Sequence, residues 1–593
     1  MGQTATFTVV AAGTPPLSYQ WQKGTTNITG ATSASYTTPA TQQSDSGSTF
    51  RVVVTNSAGS ITSNSATLTV NTGPPPSTVK VLTYHNDSSR TGLNPNETIL
   101  NTANVNSTKF GKIGTILVDG LVDAEPLYVG SLNVGGAVRN VLFVATEHDS
   151  VYAFDADTFG QLWKKSVLGA GESPSDSRSC SQVTPEIGIT STPVIDLSAG
   201  PNGTIFVVAM SKSSSSYFHR LHALDLTTGS EIGTPTTIQA TFPGTATGSS
   251  GGLVSFDPKQ YKERAALLLL NGVIYTTWAS HCDRPNYTGW VIGYNESTRQ
   301  QVTLNITPNG TTQGGLEGGI WMAGGGPAAD SSGNFYFLVG NGTFDTTLDA
   351  NNFPINGDYG NAFLKLSTGG SPPLQVADYF TMHDTVSQSN ADWDFGSGGA
   401  MLLMDVKDSN NVTRHLAVGA GKDSHIYVVD RDNMGKFNPT TNNVYQEVTN
   451  AFSCTPNFDE CVFSTPAFFN NTLFYGAARD ALKAFPFQNA RLVTPASTQS
   501  ANSFGYPGTT PSISANGTSN GIVWAMENGI STGTLHAYDA TNLANELYNS
   551  NQASGGRDQF STNRNCKFVT PMIANGKVYV GTATGVVVFG LLP

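Results

Sequence analysis

Charged residues are scarce in this sequence: Asp, Glu, Lys and Arg together make up 12% of its 593 residues, about half the usual quarter. The formal net charge is −12 and Lys and Arg form no cluster, so the chain lacks the basic surface that binds a row of phosphates. No fully apolar run exceeds six residues, the length of the run at 265–270, and this is far short of the roughly 20 that cross a bilayer as a helix. We therefore expect no nucleic acid partner and no transmembrane segment.

Cysteine is rare as well, with five in the whole chain, which excludes a dense disulfide framework. Cys454 and Cys461 are close enough in sequence to bridge one loop, and an odd total leaves at least one thiol unpaired within the chain. No Cys-x-x-Cys-His motif for covalent haem attachment is present. A redox function would therefore need a separate electron acceptor.

The first ten residues lack the basic and apolar regions of a secretory signal peptide. The low charge and the abundance of Ser, Thr and Asn nevertheless favour an exported protein that is secreted, periplasmic or attached to the cell surface. We therefore expect that the N-terminus has been trimmed and that upstream domains are missing.

Glycine is abundant, at 63 residues, and favours turns between short strands over helices. Alternating polar and apolar runs recur along the chain without helical periodicity, which predicts an all-β fold. Residues 1–72 carry four such runs, at 6–10, 17–22, 49–55 and 66–70. They predict a small β-sandwich, which a stiff Pro-rich linker follows at 73–78.

Two segments of this predicted sandwich resemble bacterial immunoglobulin-like domains. Tyr19-Gln20-Trp21 is similar to the strand that carries the buried Trp of these domains, and Asp45 to Phe50 resembles the corner of a later strand. The two cysteines of antibody domains are absent, and residue 2 falls where such domains begin their second strand. The resemblance implies an Ig-like module at 1–72 that lacks its first edge strand.

From residue 79 to residue 593 one pattern recurs: a Pro-led or small-residue strand, a turn, a Val- and Tyr-rich strand, and a strand ending near Asp. The first strands of eight copies begin near residues 126, 193, 265, 327, 399, 466, 511 and 571. Repeats of about 40 to 55 residues with four short strands cannot bury their faces alone and close radially as propeller blades. The sequence therefore predicts an eight-bladed β-propeller, whose last blade takes its outer strand from residues 112–117.

The repeat signature resembles the tryptophan-docking motif of quinoprotein β-propellers. Ala153-x-Asp155-Ala156-x-Thr158-x-Gly160-x-x-Trp163 matches this motif with one residue inserted before the Gly, and 221–229 and 537–541 are weaker copies without the Trp. In the family the Trp packs between adjacent blades while the Asp and the Gly form the turn beneath it. The motif predicts a fold rather than an activity.

Dispersed residues resemble the cofactor site of the PQQ-dependent alcohol dehydrogenases within this family. Gly318 to Trp321 is similar to the segment with the Trp beneath the quinone, and Gly340-Asn341 to the strand end with a calcium-binding Asn. Asp392-Trp393-Asp394 resembles the pair that carries the catalytic base, and Gly421-Lys422 the segment with the cation over the quinone. The resemblance implies that Asp394 is the base and a calcium ligand and that Asn341 also binds calcium. Trp321 and Lys422 would contact PQQ.

These residue types suit the chemistry that the family performs. A flat indole holds a planar quinone by stacking, and Ca²⁺ takes oxygen ligands such as amide carbonyls and carboxylates. A carboxylate beside the ion accepts the alcohol proton while hydride passes to the quinone. The implied substrate is a small alcohol or a sugar, and the sequence does not distinguish between them.

Several positions depart from the family's pattern. The calcium-binding Glu expected one blade before Asn341 is missing, and Asp283 is the substitute that we expect there. The adjacent-cysteine disulfide near the family's quinone is absent, and only Cys180 stands in the corresponding blade. Gly396 occupies the position where lanthanide-using relatives carry an extra carboxylate, which favours calcium.

Two further carboxylates are candidates for cofactor binding. Glu147 and Glu186 lie in loops between predicted strands, and the loops of a propeller gather at one end of its axis. We therefore expect both side chains to face a central funnel.

The sequence supports three functions. The first is an exported PQQ- and calcium-dependent dehydrogenase for an alcohol or a sugar. The second is a cofactor-free scaffold that binds a polysaccharide or a protein, which the missing Glu and the missing adjacent cysteines favour. The third is a carbohydrate hydrolase or lyase, since separated carboxylates suit that chemistry. No His-Glu-x-x-His, Gly-x-Ser-x-Gly or P-loop motif is present, which disfavours those enzyme classes.

Overall fold

A computed structural model describes residues 4–70, 77–214, 216–284, 286–311, 317–454, 460–529, 531–562 and 567–593 of the chain. The chain divides into two compact units, Met1–Ser77 and Thr78–Pro593. Strands dominate both units, and the all-β prediction is confirmed. In these ranges the helical elements are α1 (Thr385–Asn390) and the 3₁₀ turns Gln43–Asp45, Met322–Gly324, Phe395–Ser397 and Ser554–Gly556. None of these helices is long and apolar enough to span a membrane.

The first unit consists of a two-stranded and a five-stranded sheet. Strand β1 (Thr6–Thr8) pairs with β4 (Ser35–Thr37). The larger sheet has the order β3-β2-β5-β6, with a further strand on β5; its strands are β2 (Ser18–Lys23), β3 (Thr26–Asn27), β5 (Thr49–Asn56), β6 (Gly59–Thr62) and β7 (Ala66–Thr67). Trp21 is buried between the sheets with Val52, and its Nε1 donates to Ser33 O at 2.9 Å. The predicted strand pattern and the buried Trp are both present.

The second unit contains, within the described ranges, eight sheets of four to six strands, which we number 1 to 8 in chain order. Sheet 1 consists of β8 (Lys80–Val81), β11 (Leu127–Val134), β12 (Ala137–Ala145), β13 (Ser150–Asp155) and β14 (Gln161–Ser166). Sheet 2 consists of β15 (Ser173–Asp176), β16 (Glu186–Ile187), β17 (Val194–Asp196), β18 (Thr204–Ser213), β19 (Ser216–Asp225) and β20 (Thr236–Thr237). Sheet 3 consists of β23 (Tyr261–Glu263), β24 (Leu268–Leu270), β25 (Val273–Ser280), β26 (Trp290–Asn295) and β27 (Gln301–Asn305). Sheet 4 consists of β28 (Ala328–Ala329), β29 (Asn334–Leu338), β30 (Ala362–Ser367) and β31 (Gln375–Thr381).

The remaining four sheets follow the same plan of antiparallel neighbours. Sheet 5 consists of β32 (Met401–Leu402), β35 (Leu416–Ala420), β36 (Ile426–Asp430) and β37 (Gln446–Val448). Sheet 6 consists of β38 (Ala467–Phe469), β39 (Thr472–Gly476), β40 (Asp480–Gln488), β41 (Arg491–Leu492) and β42 (Thr498–Phe504). Sheet 7 consists of β9 (Leu93–Asn94), β43 (Ser512–Asn516), β44 (Ser519–Asn528), β45 (Thr532–Asp539), β46 (Asn542–Asn549) and β47 (Phe560–Ser561). Sheet 8 consists of β10 (Phe110–Leu117), β48 (Met572–Ala574), β49 (Lys577–Gly581) and β50 (Gly585–Leu591).

Two hairpins stand beside these sheets, β21 (Thr241–Pro243) with β22 (Leu253–Ser255), and β33 (Val406–Lys407) with β34 (Thr413–Arg414). Each of the eight sequence repeats falls within one of the eight sheets. The central strands are buried along most of their length because both faces of each sheet are covered. In β18, for example, the first eight residues are all buried.

The tryptophan-docking motif joins sheet 1 to sheet 2. Trp163 Nε1 donates to Leu226 O at 3.0 Å, and a Cβ on Gly229 would lie 2.5 Å from the Trp163 ring. Gly229 has φ of +69°, so this turn requires a glycine both for its conformation and for the close approach of the indole. Asp155 Oδ1 accepts from the backbone N–H groups of Asp157 and Thr158 at 3.0 Å. The packing predicted from the motif is confirmed.

The two ends of the second unit meet in sheet 8. Strand β10 pairs antiparallel with β50, from Phe110 opposite Leu591 to Leu117 opposite Gly585. The predicted outer strand for the last repeat is therefore confirmed. This pairing joins segments about 470 residues apart and covers an edge of β50 that would otherwise be exposed.

Residues 79–94, the central segment, contact the first strand of each of the eight sequence repeats or the residue just before that strand. The contacts, in sheet order, are Gly130 N to Val79 O, Ile195 N to Leu82 O, Arg90 Nη2 to Leu267 O, Ala329 N to Ser88 O, Leu402 N to Ser89 O, Phe468 N to Thr91 O, Ile513 N to Gly92 O and Asn94 Nδ2 to Ile573 O. A segment this short reaches eight sheets only if their first strands converge around it. No motif in residues 79–94 indicated this role, since the segment precedes the first strand of the first repeat.

Candidate active site

A cavity of about 400 Å³ lies in the second unit, at the ends of strands from several sheets. Five of the seven candidate residues line it: Asp283, Trp321, Asn341, Asp394 and Lys422. The structure therefore brings together side chains that are up to 139 residues apart (283 to 422).

Strand ends and tight turns place these five side chains. Asp283 follows β25, Asn341 follows β29 and Lys422 follows β35. Trp321 and Asp394 each directly precede a 3₁₀ turn. The backbone approaches the site closely at Gly340, where a Cβ would lie 2.9 Å from Asp394 Oδ1. A side chain at position 340 would therefore push the carboxylate out of place.

Asp394 is the centre of the hydrogen-bond network. Trp321 Nε1 donates to Asp394 Oδ2 at 3.0 Å, and the backbone N–H of Asn341 donates to Asp394 Oδ1 at 3.0 Å. Asn341 Nδ2 donates to Asp392 Oδ1 at 2.6 Å. Lys422 Nζ lies 3.1 Å from Asp392 Oδ2 and 3.9 Å from Asp394 Oδ2. Each oxygen of Asp394 is thus held by an N–H group, and one ammonium faces both carboxylates.

The charge state of Asp394 follows from its surroundings. The residue is 7% exposed, and burial raises the pKa of its carboxyl to about 6, against an opposing effect of the Lys422 ammonium. The carboxylates of Asp392 and Asp283 raise this pKa further. A carboxyl with this pKa is ionised at neutral pH yet binds a proton more readily than a surface aspartate.

The polar atoms around Asn341 suit an oxygen-liganded cation. Among the residues that the structure describes, Asn341 Oδ1 is buried and accepts no hydrogen bond, which is costly for an amide oxygen. The carboxylates of Asp394 and Asp283 line the same cavity. No three His, Cys, Asp or Glu side chains of the described ranges are grouped as metal ligands, so an amide oxygen would have to complete the set. An unsatisfied oxygen beside two carboxylates fits Ca²⁺.

Two basic side chains also line the cavity, and sequence reasoning missed them. Lys262 and Arg264 line the cavity, and both are nearly buried. Lys262 Nζ donates to Gln182 Oε1 at 3.2 Å, and Arg264 Nη1 lies 3.4 Å from Asp123 Oδ2. The only available signal was the alternation of β23, which places Lys262 on the face opposite Tyr261 and Glu263, with Arg264 directly after the strand.

Aromatic rings form another part of the lining. The Trp321 ring lies 6.0 Å from the Phe463 ring and 6.4 Å from the Phe568 ring, between centroids. The Arg264 guanidinium lies 4.8 Å from the centroid of Phe568, a cation–π contact. The cavity lining therefore combines aromatic side chains with acidic and basic ones, which suits a flat ligand with polar edges.

Glu147 and Glu186 do not line the cavity, contrary to the expectation that both face a central funnel. Glu147 is buried, and its Oε2 accepts from Gly188 N at 2.7 Å and from Thr190 Oγ1 at 3.0 Å. Burial, and then the neighbouring Asp123, raise the pKa of Glu147 to about 8. Glu186 Oε1 lies 2.8 Å from His148 Nδ1 near the surface. Glu147 thus contacts the segment that follows Glu186, and Glu186 contacts the residue that follows Glu147.

The cysteines pair more widely than their spacing suggested. Cys180 and Cys282, 102 residues apart, form a disulfide, and Cys454 and Cys461 form the predicted short one. The fifth cysteine, Cys566, lies outside the described ranges. The longer bridge sits next to the cavity, because Gln182 and Asp283 on either side of it are lining residues. Cys282 follows β25 of a different sheet, so the expectation that only Cys180 stands in its own repeat is compatible with this pairing, which spacing alone did not indicate.

Gly396 has a steric reason to be glycine. A Cβ at this position would lie 2.3 Å from Gly340 N and 2.5 Å from Val339 C. Backbone atoms cannot move away as a flexible side chain would, so no carboxylate is accommodated here without a shift of the strand end that carries Asn341.

The comparisons with known proteins agree with this fold. The structure is similar to a quinohemoprotein alcohol dehydrogenase from Comamonas testosteroni, with a TM-score of 0.55 at 13% identity over 86% of this chain and 80% of that one. It is similar to quinohemoprotein alcohol dehydrogenase ADHIIG from Pseudomonas putida HK5, with a TM-score of 0.56 at 13% identity and the same coverages. A europium-containing methanol dehydrogenase matches with a TM-score of 0.53 at 13% identity over 86% of this chain and 98% of that one.

No protein-family model matches the sequence. No curated protein matches it either. At 13% identity the structural likeness shows the fold alone: the chain has a quinoprotein-like β-propeller.

Proposed function

We propose that this protein is a PQQ- and calcium-dependent dehydrogenase that oxidises a small alcohol or a sugar. One observation carries the proposal: a single cavity holds the Asp394 carboxylate between the Trp321 N–H, the Asn341 N–H and the Lys422 ammonium. The likeness to alcohol dehydrogenases of the same fold adds support.

Each of the cavity residues has a separate role in this proposal. Asn341 Oδ1 with the Asp394 and Asp283 carboxylates would hold the cation, and the Trp321 and Phe568 rings would flank the cofactor. When bound, PQQ with calcium supplies an electrophilic carbonyl that accepts a hydride. Lys422 would place its positive charge at the edge of that site.

Asp394 accepts the hydroxyl proton of the alcohol. Its Oδ2 is oriented by the Trp321 N–H, and its ionised form predominates above pH 6 because its pKa is about 6. Lys422 stabilises that anion from 3.9 Å. Without a haem motif in the sequence, electrons would leave to a separate acceptor.

We propose further that the second unit, residues 79–593, is an eight-bladed propeller in which each sheet is one blade. Eight sheets that all touch the central segment support this arrangement. We assign residues 1–72 to an Ig-like module and 73–78 to a linker. Export to the periplasm, the cell surface or the medium is supported by the two disulfides, which persist in oxidising compartments.

Reconstitution of the full chain tests the dehydrogenase. Purified protein with PQQ and Ca²⁺ is expected to show the absorbance of bound quinone and dye-linked oxidation of primary alcohols or sugars. Asp394→Asn is expected to lower kcat by about 10²- to 10⁴-fold, the range for loss of a general base. Asp432→Asn, which removes an exposed carboxylate outside the cavity, is the matched control and should leave kcat unchanged.

The absence of both bound quinone and oxidation would contradict the dehydrogenase. Binding of a polysaccharide or a protein by such a preparation would then favour the cofactor-free scaffold.

A further inference from the structure

Lys262 is an unusual lysine because it is buried yet reaches a cavity. It lies in the middle of β23 and is 3% exposed, while its side chain lines the 400 Å³ cavity together with that of Arg264. Long ammonium side chains at such positions normally pair with a carboxylate. The charge state and reactivity of the Lys262 amine therefore depend on the charged and polar groups around it.

No carboxylate oxygen of the described residues lies within ion-pair distance of Lys262 Nζ, and its hydrogen-bond partner is the neutral Gln182 Oε1 at 3.2 Å. The charged groups that act on it are Arg264, which disfavours its ammonium form, and Glu147, Asp123 and Asp283, which favour it from further away. The Arg264 guanidinium lies 3.4 Å from the Asp123 carboxylate. Asp123 therefore acts on both Arg264 and Lys262.

Burial, and then Arg264, lower the pKa of Lys262 to about 7. Roughly half of such a side chain is the neutral amine at pH 7, against less than about 0.1% for an ordinary lysine. A second cation beside a desolvated lysine is a known way to make its amine nucleophilic.

We propose that Lys262 is a carbonyl-binding residue. It forms an imine with a small carboxylic acid that also carries an aldehyde or ketone group and that enters the cavity. The Nζ lone pair adds to the carbonyl carbon, and the carbinolamine then loses the carbonyl oxygen as water together with the two amine protons. No oxidant or reductant is consumed. The Arg264 guanidinium, two residues further along the chain, supplies the positive charge that attracts the carboxylate of the ligand.

This inference does not depend on the proposed dehydrogenase, because it needs neither quinone nor metal. It adds a second reactive group to the cavity that Asp394 also lines, and the cavity of about 400 Å³ has room for a small carbonyl acid.

Reductive trapping tests the proposal on the full chain. Protein is incubated at pH 7 with glyoxylate and sodium cyanoborohydride, and modified lysines are located by peptide mass mapping. We expect modification of Lys262 at least tenfold above that of Lys483, which is similarly buried but lies 2.7 Å from Asp480. Omission of cyanoborohydride should leave Lys262 unmodified, because an imine is reversible until it is reduced.

The pH dependence distinguishes an activated amine from an accessible one. The rate of Lys262 modification is expected to rise with an inflection near pH 7, and Arg264→Met should move that inflection upward by removing the neighbouring cation. Lys262→Arg should abolish modification at this position while the near-ultraviolet circular dichroism of the chain is retained. Equal modification of Lys262 and Lys483, or an inflection unchanged by Arg264→Met, would overturn the proposal. Neither result would bear on quinone-dependent oxidation, which is measured separately.

Discussion

At the scale of single residues, the chemistry depends on the proton affinity of Asp394. Two opposing effects set it: burial raises its pKa and the Lys422 ammonium lowers it, with a result near 6. Because burial has the larger effect, the carboxyl is a stronger base than a surface aspartate and still ionised at pH 7. A proton acceptor for a hydroxyl group needs this combination.

This balance predicts the pH profile of the reconstituted protein. Since the ionised form of Asp394 is the active one, kcat/KM for alcohol oxidation should rise with pH through an inflection no higher than about 6, because a bound Ca²⁺ favours the ionised carboxylate. Lys422→Met removes a cation 3.9 Å from Asp394 Oδ2, so the pKa of Asp394 should rise and the inflection should move to higher pH. The measurement is dye-linked oxidation between pH 4 and pH 9 for both proteins. An inflection at the same pH in both would show that Asp394 is not the titrating base.

At the scale of structural elements, two loops are fastened together beside the cavity. The Cys180–Cys282 disulfide joins the segment after β15 to the segment after β25, and His281 Nε2 lies 2.9 Å from Ser177 O across the same junction. Asp283 follows directly, and its backbone N–H and Oδ1 both contact Ser280 Oγ. The junction therefore positions one of the proposed calcium ligands.

The two disulfides should differ in their effect on stability. Bridging residues 102 apart restricts the unfolded chain by about 4.7 kcal/mol, whereas bridging residues 7 apart restricts it by about 2.4 kcal/mol, on the chain-entropy estimate. The double variant Cys180→Ala/Cys282→Ala should therefore lower the free energy of unfolding more than Cys454→Ala/Cys461→Ala does. Urea unfolding of both variants measures this difference. The first variant should also weaken Ca²⁺ binding, and an unchanged calcium affinity would argue against a positioning role for the bridge.

Many of the strands and site segments were predictable from the sequence, because the patterns that indicate them lie within short stretches of the chain. Strands of the repeats carry their own alternation and turn residues, so each Pro-led strand and its partners fall within one sheet. Trp163 carries its motif in eleven consecutive residues, 153–163. Asp283, Trp321, Asn341, Asp394 and Lys422 were found because short segments around them resemble a known order.

The features that were not predicted depend on contacts between segments far apart in the sequence, which no local pattern encodes. Cys180 and Cys282 meet only because two sheets bring their loops together. Lys262 sits in a strand with no motif, and its exposure to the cavity depends on which face of β23 looks inward. Glu147 and Glu186 were expected at the cavity from loop position alone, and each side chain instead contacts the segment that carries the other one.

At the scale of the whole molecule, both ends of the second unit are used to hold its sheets together. The central segment reaches all eight first strands, and Arg90 within it is fully buried, donating to Thr83 Oγ1 and to the backbone oxygens of Tyr84, Leu267 and Pro327. The β10–β50 pairing then joins residues 110–117 to the last strand. Sheets that share one segment and one closing pair should unfold together.

A proline in the closing strand tests this cooperativity. Val587 in β50 lies opposite both Thr115 of β10 and Val580 of β49, so Val587→Pro would remove a ladder hydrogen bond from a central strand and destabilise it. We expect the urea midpoint of the whole second unit to fall, not that of sheet 8 alone, as followed by tryptophan fluorescence and by hydrogen exchange of sheets 3 to 5. Thr413→Pro is the control, since β34 pairs only with β33 and its loss should stay local. If Val587→Pro left the exchange of sheets 3 to 5 unchanged, the sheets would be stable without closure and the cooperative ring would be refuted.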